Sequence, residues 1–377
     1  MLKNKRQPIV HYPVHLEKDK YLGDVYGYFH LNSNEYNIIA TNNNIANNES
    51  CVNLVRIVKE KPLQFIDNIL YAYWENEQII FQQGNTLCKK QPYDLLLNIF
   101  SRNSGILETD FMLNKSVIIA GLGSVGSLIA LELARAGVGS FLLVDNDTLA
   151  YHNLCRHQLG IKDVGKFKVC AVRDQILQIN STAQVQTEIG ILEDVEKVKF
   201  DNFITANTVI IGCADNREGD LYANRLSINY KIPFISIGFW ERAFAGEIFY
   251  SIPTKTPCYE CLFGGKERHI SSRTSVNRRY YTNEENLSET RFEPGISTDI
   301  NFITTVGIKL IIDLMNLENE NYIPRLFTHL SQFTLICNSN DKRVGGDQAE
   351  IFSYPLQITT SIKIDYNEKC SVCGGIK

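Results

Sequence analysis

Apolar positions along this chain fall into two regimes, and the change lies near residue 100. From Lys115 onward, short, largely apolar runs alternate with stretches whose apolar positions recur every three to four residues. Ser116–Ala120 (SVIIA) and Ser140–Val144 (SFLLV) are too short for helices and rich in branched or aromatic side chains, so both read as buried strands. Residues 208–213, 233–239 and 247–252 read the same way. A helical stretch runs from the first strand to Arg135 and stops at Ala136-Gly137, and another spans 215–230. Strands alternating with helices predict an α/β fold on a doubly wound, mostly parallel, Rossmann-like sheet.

Residues 1–95 lack this rhythm. The segment 26–40 is aromatic and β-branched but broken by Asn and Ser, which predicts a hairpin, and the Asn-rich 41–50 predicts a loop. Apolar residues in 51–58 and 63–73 are spaced as on helices, with Pro62 suited to a first helical turn, while 78–82 suits a strand. The expectation is a small α+β, winged-helix-like module over 1–95, followed by one larger domain over 96–377. Within the larger domain, 264–299 is polar and aperiodic, the character of a loop crossing over a site. Residues 301–317 resume as a helix, and short strands are expected within 326–363.

Composition narrows the partners. The 377 residues carry 38 Lys and Arg against 42 Asp and Glu, a formal charge of -4, so no positive field is available to hold nucleic acid. No stretch reaches the roughly 18 to 20 apolar residues that span a bilayer, and the first 16 residues lack the apolar core of a secretory signal. A cytoplasmic protein without membrane or nucleic-acid partners is expected. Of ten cysteines, four form two C-x-x-C pairs, Cys258-Tyr259-Glu260-Cys261 and Cys370-Ser371-Val372-Cys373. Four thiolates are the ligand set of a closed tetrahedral Zn²⁺ site, which leaves no position for water and therefore predicts a structural zinc.

The sequence Gly121-Leu122-Gly123-Ser124-Val125-Gly126 follows one predicted strand, opens a helix, and precedes a strand ending in Asp145. Glycines let backbone approach a phosphate, the helix N-terminus favours anions, and Asp145 can accept from ribose hydroxyls. This pattern alone suits an NAD-dependent oxidoreductase equally well. The balance shifts with Asp145-Asn146-Asp147, Asn153-Leu154-Cys155-Arg156, Gly165-Lys166-Phe167-Lys168 and Cys213-Ala214-Asp215-Asn216. Hydride transfer needs no such cluster, whereas nucleotidyl transfer builds charge on the α-phosphate and departing pyrophosphate, which cations and a carboxylate-held Mg²⁺ offset. Cys155 and Cys213 read as packing residues within these motifs.

From about Arg102 to the C-terminus these motifs resemble the ThiF/MoeB/E1-like superfamily of ATP-dependent activating enzymes, which adenylate carboxylates. That resemblance implies Asp145 on the ribose, Asn153, Arg156 and Lys168 on the phosphates, and Asp215 on Mg²⁺. It also implies that Arg102, in Phe100-Ser101-Arg102-Asn103, reaches the ATP site of a second copy, and hence a homodimer. Ser124 departs from the pattern, since many members carry glycine there.

Cysteine is absent from 262 to 336, which disfavours the thioester or persulfide step of sulfur-transfer and ubiquitin-conjugating members. An N-terminal module, FSRN, PCYEC, Arg291-Phe292-Glu293-Pro294-Gly295 and a terminal CSVCG, in that order, are similar to the peptide-modifying members MccB (microcin C) and PaaA (pantocin). The narrower resemblance implies that the first module recognises a leader peptide as an added strand and that 264–299 closes over a ribosomally made precursor peptide. A ubiquitin-like sulfur carrier with a Gly-Gly tail remains the alternative substrate, and an NAD-binding oxidoreductase the alternative class.

Overall fold

The computed structural model describes residues 7–41, 51–213, 217–264, 294–362 and 364–374, in two units, Met1–Arg102 and Asn103–Lys377. The first unit is built on strands β1 (Ile9–Pro13), β2 (Gly23–His30), β3 (Glu35–Ala40), β4 (Val52–Val58), β5 (Leu70–Glu75), β6 (Gln78–Gln83), β7 (Thr86–Leu87) and β8 (Lys89–Tyr93). Two short helices, α1 (His15–Lys18) and α2 (Leu95–Ile99), accompany them. The strand order is β7-β6-β5-β4-β2-β3-β1-β8. Only Cys88 separates β7 from β8, so one continuous segment pairs first with β6 and then with β1, and the sheet curls until its two ends meet. Val10, Tyr12, Val25, Ile38, Ile57 and Phe81 fill the interior. On β6, the backbone of Ile79 is satisfied by an ion pair in place of a strand: its N–H donates to Glu17 Oε1 (3.1 Å), and Lys90 Nζ donates both to its C=O (3.1 Å) and to Glu17 (3.0 Å).

The predicted hairpin is present as β2 and β3, with Phe29 opposite Tyr36. The two predicted helices are not. Residues 52–58 form β4, residues 63–69 are irregular with Leu63 wholly exposed, and the chain re-enters the sheet as β5. Val52, Val55, Ile57 and Val58 lose rotamer freedom on a helix but pack well on a pleated surface, and in so short a run that preference outweighs the spacing. The only helices among the described residues of this unit are four and five residues long, so the winged-helix expectation gives way to a curled sheet.

In the second unit the chain runs α3 (Thr109–Leu113), β9 (Ser116–Ala120), α4 (Ser124–Arg135), β10 (Ser140–Val144), α5 (Lys168–Ile179), β11 (Gln184–Glu188), α6 (Lys197–Phe203) and β12 (Thr208–Gly212). It continues through α7 (Arg217–Tyr230), β13 (Phe234–Phe239), β14 (Ala245–Ser251), α8 (Tyr259–Phe263), α9 (Ser297–Met315), β15 (Phe333–Cys337), α10 (Lys342–Gly345) and β16 (Ile358–Ile362). The order is β11-β10-β9-β12-β13-β14-β15-β16. The first five strands are parallel and the last three pair antiparallel. Alternate residues of the central strands enter two cores: Val117, Ile119, Leu143 and Ile211 pack with α4, α5 and α9. Ile118, Leu142, Val144 and Ile210 pack with α6 and α7 on the other face. Strand order reverses between β9 and β12, the position beyond whose carboxyl ends such sheets bind ligands.

Most of the predicted crossover loop, 265–293, lies outside the described residues, but 297–299 belong to the first turn of α9, where Asp299 complements the helix dipole. Asp313 of α9 is fully buried and accepts from Tyr322 Oη (2.6 Å) and from the N–H groups of Arg325, Leu326 and Phe327. One carboxylate thus folds the following loop back onto the helix. No helix among the described residues is long and apolar enough to cross a membrane.

Candidate functional site

The site begins where β9 hands over to α4. Gly121 adopts φ 91°, a left-handed value that favours glycine, and its N–H donates to Val144 O on β10 (2.9 Å). A side chain on Gly126 would collide with Gly121's carbonyl, whereas one on Gly123 would meet nothing within 4 Å. Gly126 therefore answers to helix–loop packing, and Gly123 borders open space. That space lies at the N-terminus of a 12-residue helix whose cap residue, Gly123, offers no side-chain acceptor. The first-turn N–H groups have no intrahelical partner, which makes the cradle suited to an anion.

Asp145, at the carboxyl end of β10, is almost wholly buried, and both its oxygens engage backbone: Oδ2 accepts from Leu122 N–H (2.6 Å) and Oδ1 from Asp147 N–H (2.8 Å). Burial pushes its pKa up, against the opposing pull of the Leu122 hydrogen bond and the charge of Lys168. Lys168 opens α5 with its side chain buried and donates to Asp147 Oδ2 (2.7 Å), whose own side chain is 63% exposed. An ammonium thus lies inside the site, balanced by a carboxylate at its mouth. Asn153 Oδ1 accepts from Ala150 N–H (2.9 Å) and shapes the turn that leads to the half-buried Arg156. That turn leaves Cys155 exposed rather than packed, its Sγ 3.4 Å from His152 O, while His157 and Leu159 point inward. Cys213, partly buried, follows β12 directly and donates its N–H to Ala120 O.

His157 is the member the sequence reading missed; its only signal was its place directly after Arg156. Its Nε2 lies 2.8 Å from Leu122 O, and its Nδ1 accepts from Leu159 N–H (3.1 Å). Burial lowers its pKa to about 4, so the ring is neutral at pH 7.

The structure thus brings together Gly121, Gly123, Ser124, Gly126, Asp145, Asp147 and Lys168, with Asn153 and Arg156 on the adjoining turn. Asp215 lies outside the described residues, and Arg102, which is exposed, belongs to the first unit. Just past Asp215, Arg217 forms a two-pronged ion pair with buried Glu247 (2.8 and 3.1 Å), bonds Tyr259 Oη (3.0 Å) and stacks 3.9 Å over Phe263. Tyr259 and Phe263 lie on α8, which also carries Cys261.

The four C-x-x-C thiols meet as the spacing required. Cys258, Cys261, Cys370 and Cys373 are buried, with their Sγ atoms all within 4.8 Å of one another. The separations 258–261, 258–370 and 261–373 are 3.8, 3.7 and 3.4 Å. Those distances are far beyond a disulfide bond and close to the edge of about 3.8 Å expected for a tetrahedron with Zn–S near 2.3 Å. The hydrogen bond from Cys258 lowers the pKa of the Cys261 thiol, the direction that a metal-binding thiolate needs. The donor set fits a tetrahedral zinc ion.

Three relatives set this geometry in context. The chain is 28% identical over 193 residues to "Ubiquitin-like modifier-activating enzyme 5" of Dictyostelium discoideum, covering 48% of this chain and 50% of the relative. It is 33% identical over 151 residues to "Sulfur carrier protein ThiS adenylyltransferase" of Bacillus subtilis (strain 168), covering 38% and 43%. It therefore spans half or less of the length of these curated relatives. The crystal structure of E. coli MccB shares the fold at a TM-score of 0.51 and 22% identity, over 74% of this chain and 72% of that one. The model of the ThiF family matches residues 97–339, well over half of the sequence and the whole of the glycine-loop region. The chain belongs to the ThiF family.

Proposed function

We propose that this protein uses ATP and Mg²⁺ to adenylate a carboxyl or amide-derived group of a ribosomally made precursor peptide. The activated peptide would go on to a modified or cyclised antibiotic of the pantocin or microcin C kind. The observation that carries the nucleotide half of this reading is the open face of Gly123, at a helix N-terminus flanked by Asp145 and Lys168. Family membership favours nucleotidyl transfer over hydride transfer there. For a carboxylate substrate, an oxygen attacks the α-phosphorus, the bond to the bridging oxygen breaks, and pyrophosphate leaves with the electron pair. Arg156 and Lys168 counter charge on the phosphate oxygens with help from Asn153, Asp145 holds the ribose and Asp215 holds Mg²⁺. Arg102 of a second copy would complete the site, which makes the active form a homodimer. The cysteine cluster holds a structural zinc, and the enzyme works in the cytoplasm.

The first 95 residues are assigned to leader recognition by strand addition. In support, β4 pairs with β5 over only Ile57 and Val58, which leaves the backbone of 52–56 without a ladder partner on that side among the described residues. The names of the relatives favour a second reading, in which the substrate is the C-terminal glycine of a ubiquitin-like sulfur carrier. One experiment separates them: the purified protein is incubated with Mg-ATP and either the small peptide encoded beside its gene or a Gly-Gly-tailed carrier. Pyrophosphate release and product mass are then followed. AMP addition or loss of water on the peptide supports the first reading, exchange with the carrier alone supports the second, and ATP left intact by both refutes adenylation.

A further inference from the structure

The peptide between Leu122 and Gly123 is held from the side opposite the cradle. Leu122 is fully buried, its N–H is taken by Asp145, and its C=O lies 2.8 Å from His157 Nε2. Because Nδ1 of the same ring accepts from Leu159 N–H, the proton of the neutral imidazole resides on Nε2, and His157 is the donor to Leu122 O. A trans peptide points its C=O and N–H in opposite directions. Anchoring the Leu122 carbonyl toward the buried ring therefore turns the Gly123 N–H away from it. Among the described residues no acceptor meets that N–H, and Gly123 borders the open space.

We propose that His157 is a positioning residue for nucleotide binding: by donating from Nε2 to Leu122 O it fixes the Leu122–Gly123 peptide plane, so that Gly123 N–H is presented to a phosphate oxygen of the bound nucleotide. The inference rests on the nucleotide reading above and adds to it a residue that touches neither phosphate nor ribose. The same hydrogen bond polarises the peptide and strengthens its N–H as a donor. Asp145 does the complementary work on the amide end of Leu122, so the loop is gripped at both polar groups of one residue.

The test compares two substitutions of similar polarity in the full-length protein. His157→Gln places an amide Nε2 where the ring nitrogen was and keeps the donor. His157→Asn is too short to reach Leu122 O, but its Oδ1 can still accept from Leu159. Affinity for a non-hydrolysable ATP analogue with Mg²⁺ should stay within about threefold of the parent in His157→Gln and fall about tenfold in His157→Asn. Thermal midpoints measured without nucleotide should be similar for the two. Equal affinities in both variants would overturn the positioning role. A parent protein that binds no ATP would instead sink the nucleotide reading. Nitrogen-15 spectra of the unmodified protein give an independent check, since the proposal requires the Nε2-protonated tautomer at pH 7, and a proton on Nδ1 would refute it whatever the variants do.

Discussion

A Cβ built on Gly126 would sit 1.9 Å from the carbonyl oxygen of Gly121, so the first turn of α4 and the end of β9 leave no room between them for even a methyl group. Gly123, three residues earlier, has nothing within 4 Å of the same construction. Gly126→Ala should therefore lower stability by about 1–3 kcal/mol through forced backbone movement. Gly123→Ala should change stability by no more than about 1 kcal/mol, the usual cost of alanine at a helix cap. It should nonetheless weaken binding of an ATP analogue at least tenfold. Denaturant melts and nucleotide titration on both variants check the contrast; a Gly123→Ala protein that binds normally would place the phosphates elsewhere.

The role proposed for Lys168 separates its expected effects on catalysis and on folding. Its ion pair with Asp147 joins a buried ammonium to a mostly exposed carboxylate, so methionine removes the buried charge without stranding that partner in the interior. Lys168→Met should thus leave the melting curve nearly unchanged while AMP release falls about 10²–10³-fold, the usual effect of losing one group that stabilises transition-state charge. Equal losses of stability and turnover would assign the residue to the scaffold.

Loss of one thiol should be felt through the whole cysteine cluster. Cys370→Ser should lower both the zinc content measured by elemental analysis and the thermal midpoint, and a strong chelator should do the same to the parent. Metal content that is unaltered by the substitution would argue against ligation at this cluster.

Stability should fall on acidification from pH 6.5 toward pH 4 because of His157. Its folded-state value of about 4 lies below the ordinary 6.5, with burial the main cause, Lys168 lowering it further and Asp163 opposing. The unfolded chain binds the proton first, so the stabilisation is complete above pH 6.5 and is lost progressively down to pH 4, by on the order of 3 kcal/mol. Comparing urea midpoints at pH 7 and pH 4.5 should show a smaller acid loss in His157→Gln than in the parent. Identical losses would mean the imidazole is already charged or solvated in the folded protein.

Asp313 carries a prediction without any link to chemistry. Four donors converge on its buried carboxylate, and Asp313→Ala would leave them all facing apolar surroundings, at a cost of about 3 kcal/mol. Urea unfolding should register this loss while affinity for nucleotide, measured on the folded fraction, stays unchanged.

The inner parallel strands were legible because they are buried on both faces, which writes a largely apolar run into the sequence, as in Ser116–Ala120 and Thr208–Gly212. By contrast, β11 (QVQTE) lies at the sheet edge with one side in water and carries no such run, so it passed unnoticed. The first unit was misread where short branched runs such as 52–58 admit either periodicity, and only their distant partners β2 and β5 decide. In the site, glycines and charged residues announced themselves by spacing. His157 did not, because its contact is with a carbonyl 35 residues away, and no local pattern encodes that meeting.

The segment 86–93 that seals the amino-terminal sheet is also the last strand of that unit to leave the ribosome. Until it emerges, β6 and β1 are borders able to pair with a passing strand, so the sheet cannot close before Tyr93 has been made. A fragment ending before Thr86 should be prone to sticky self-association, whereas one extended past Tyr93 should not.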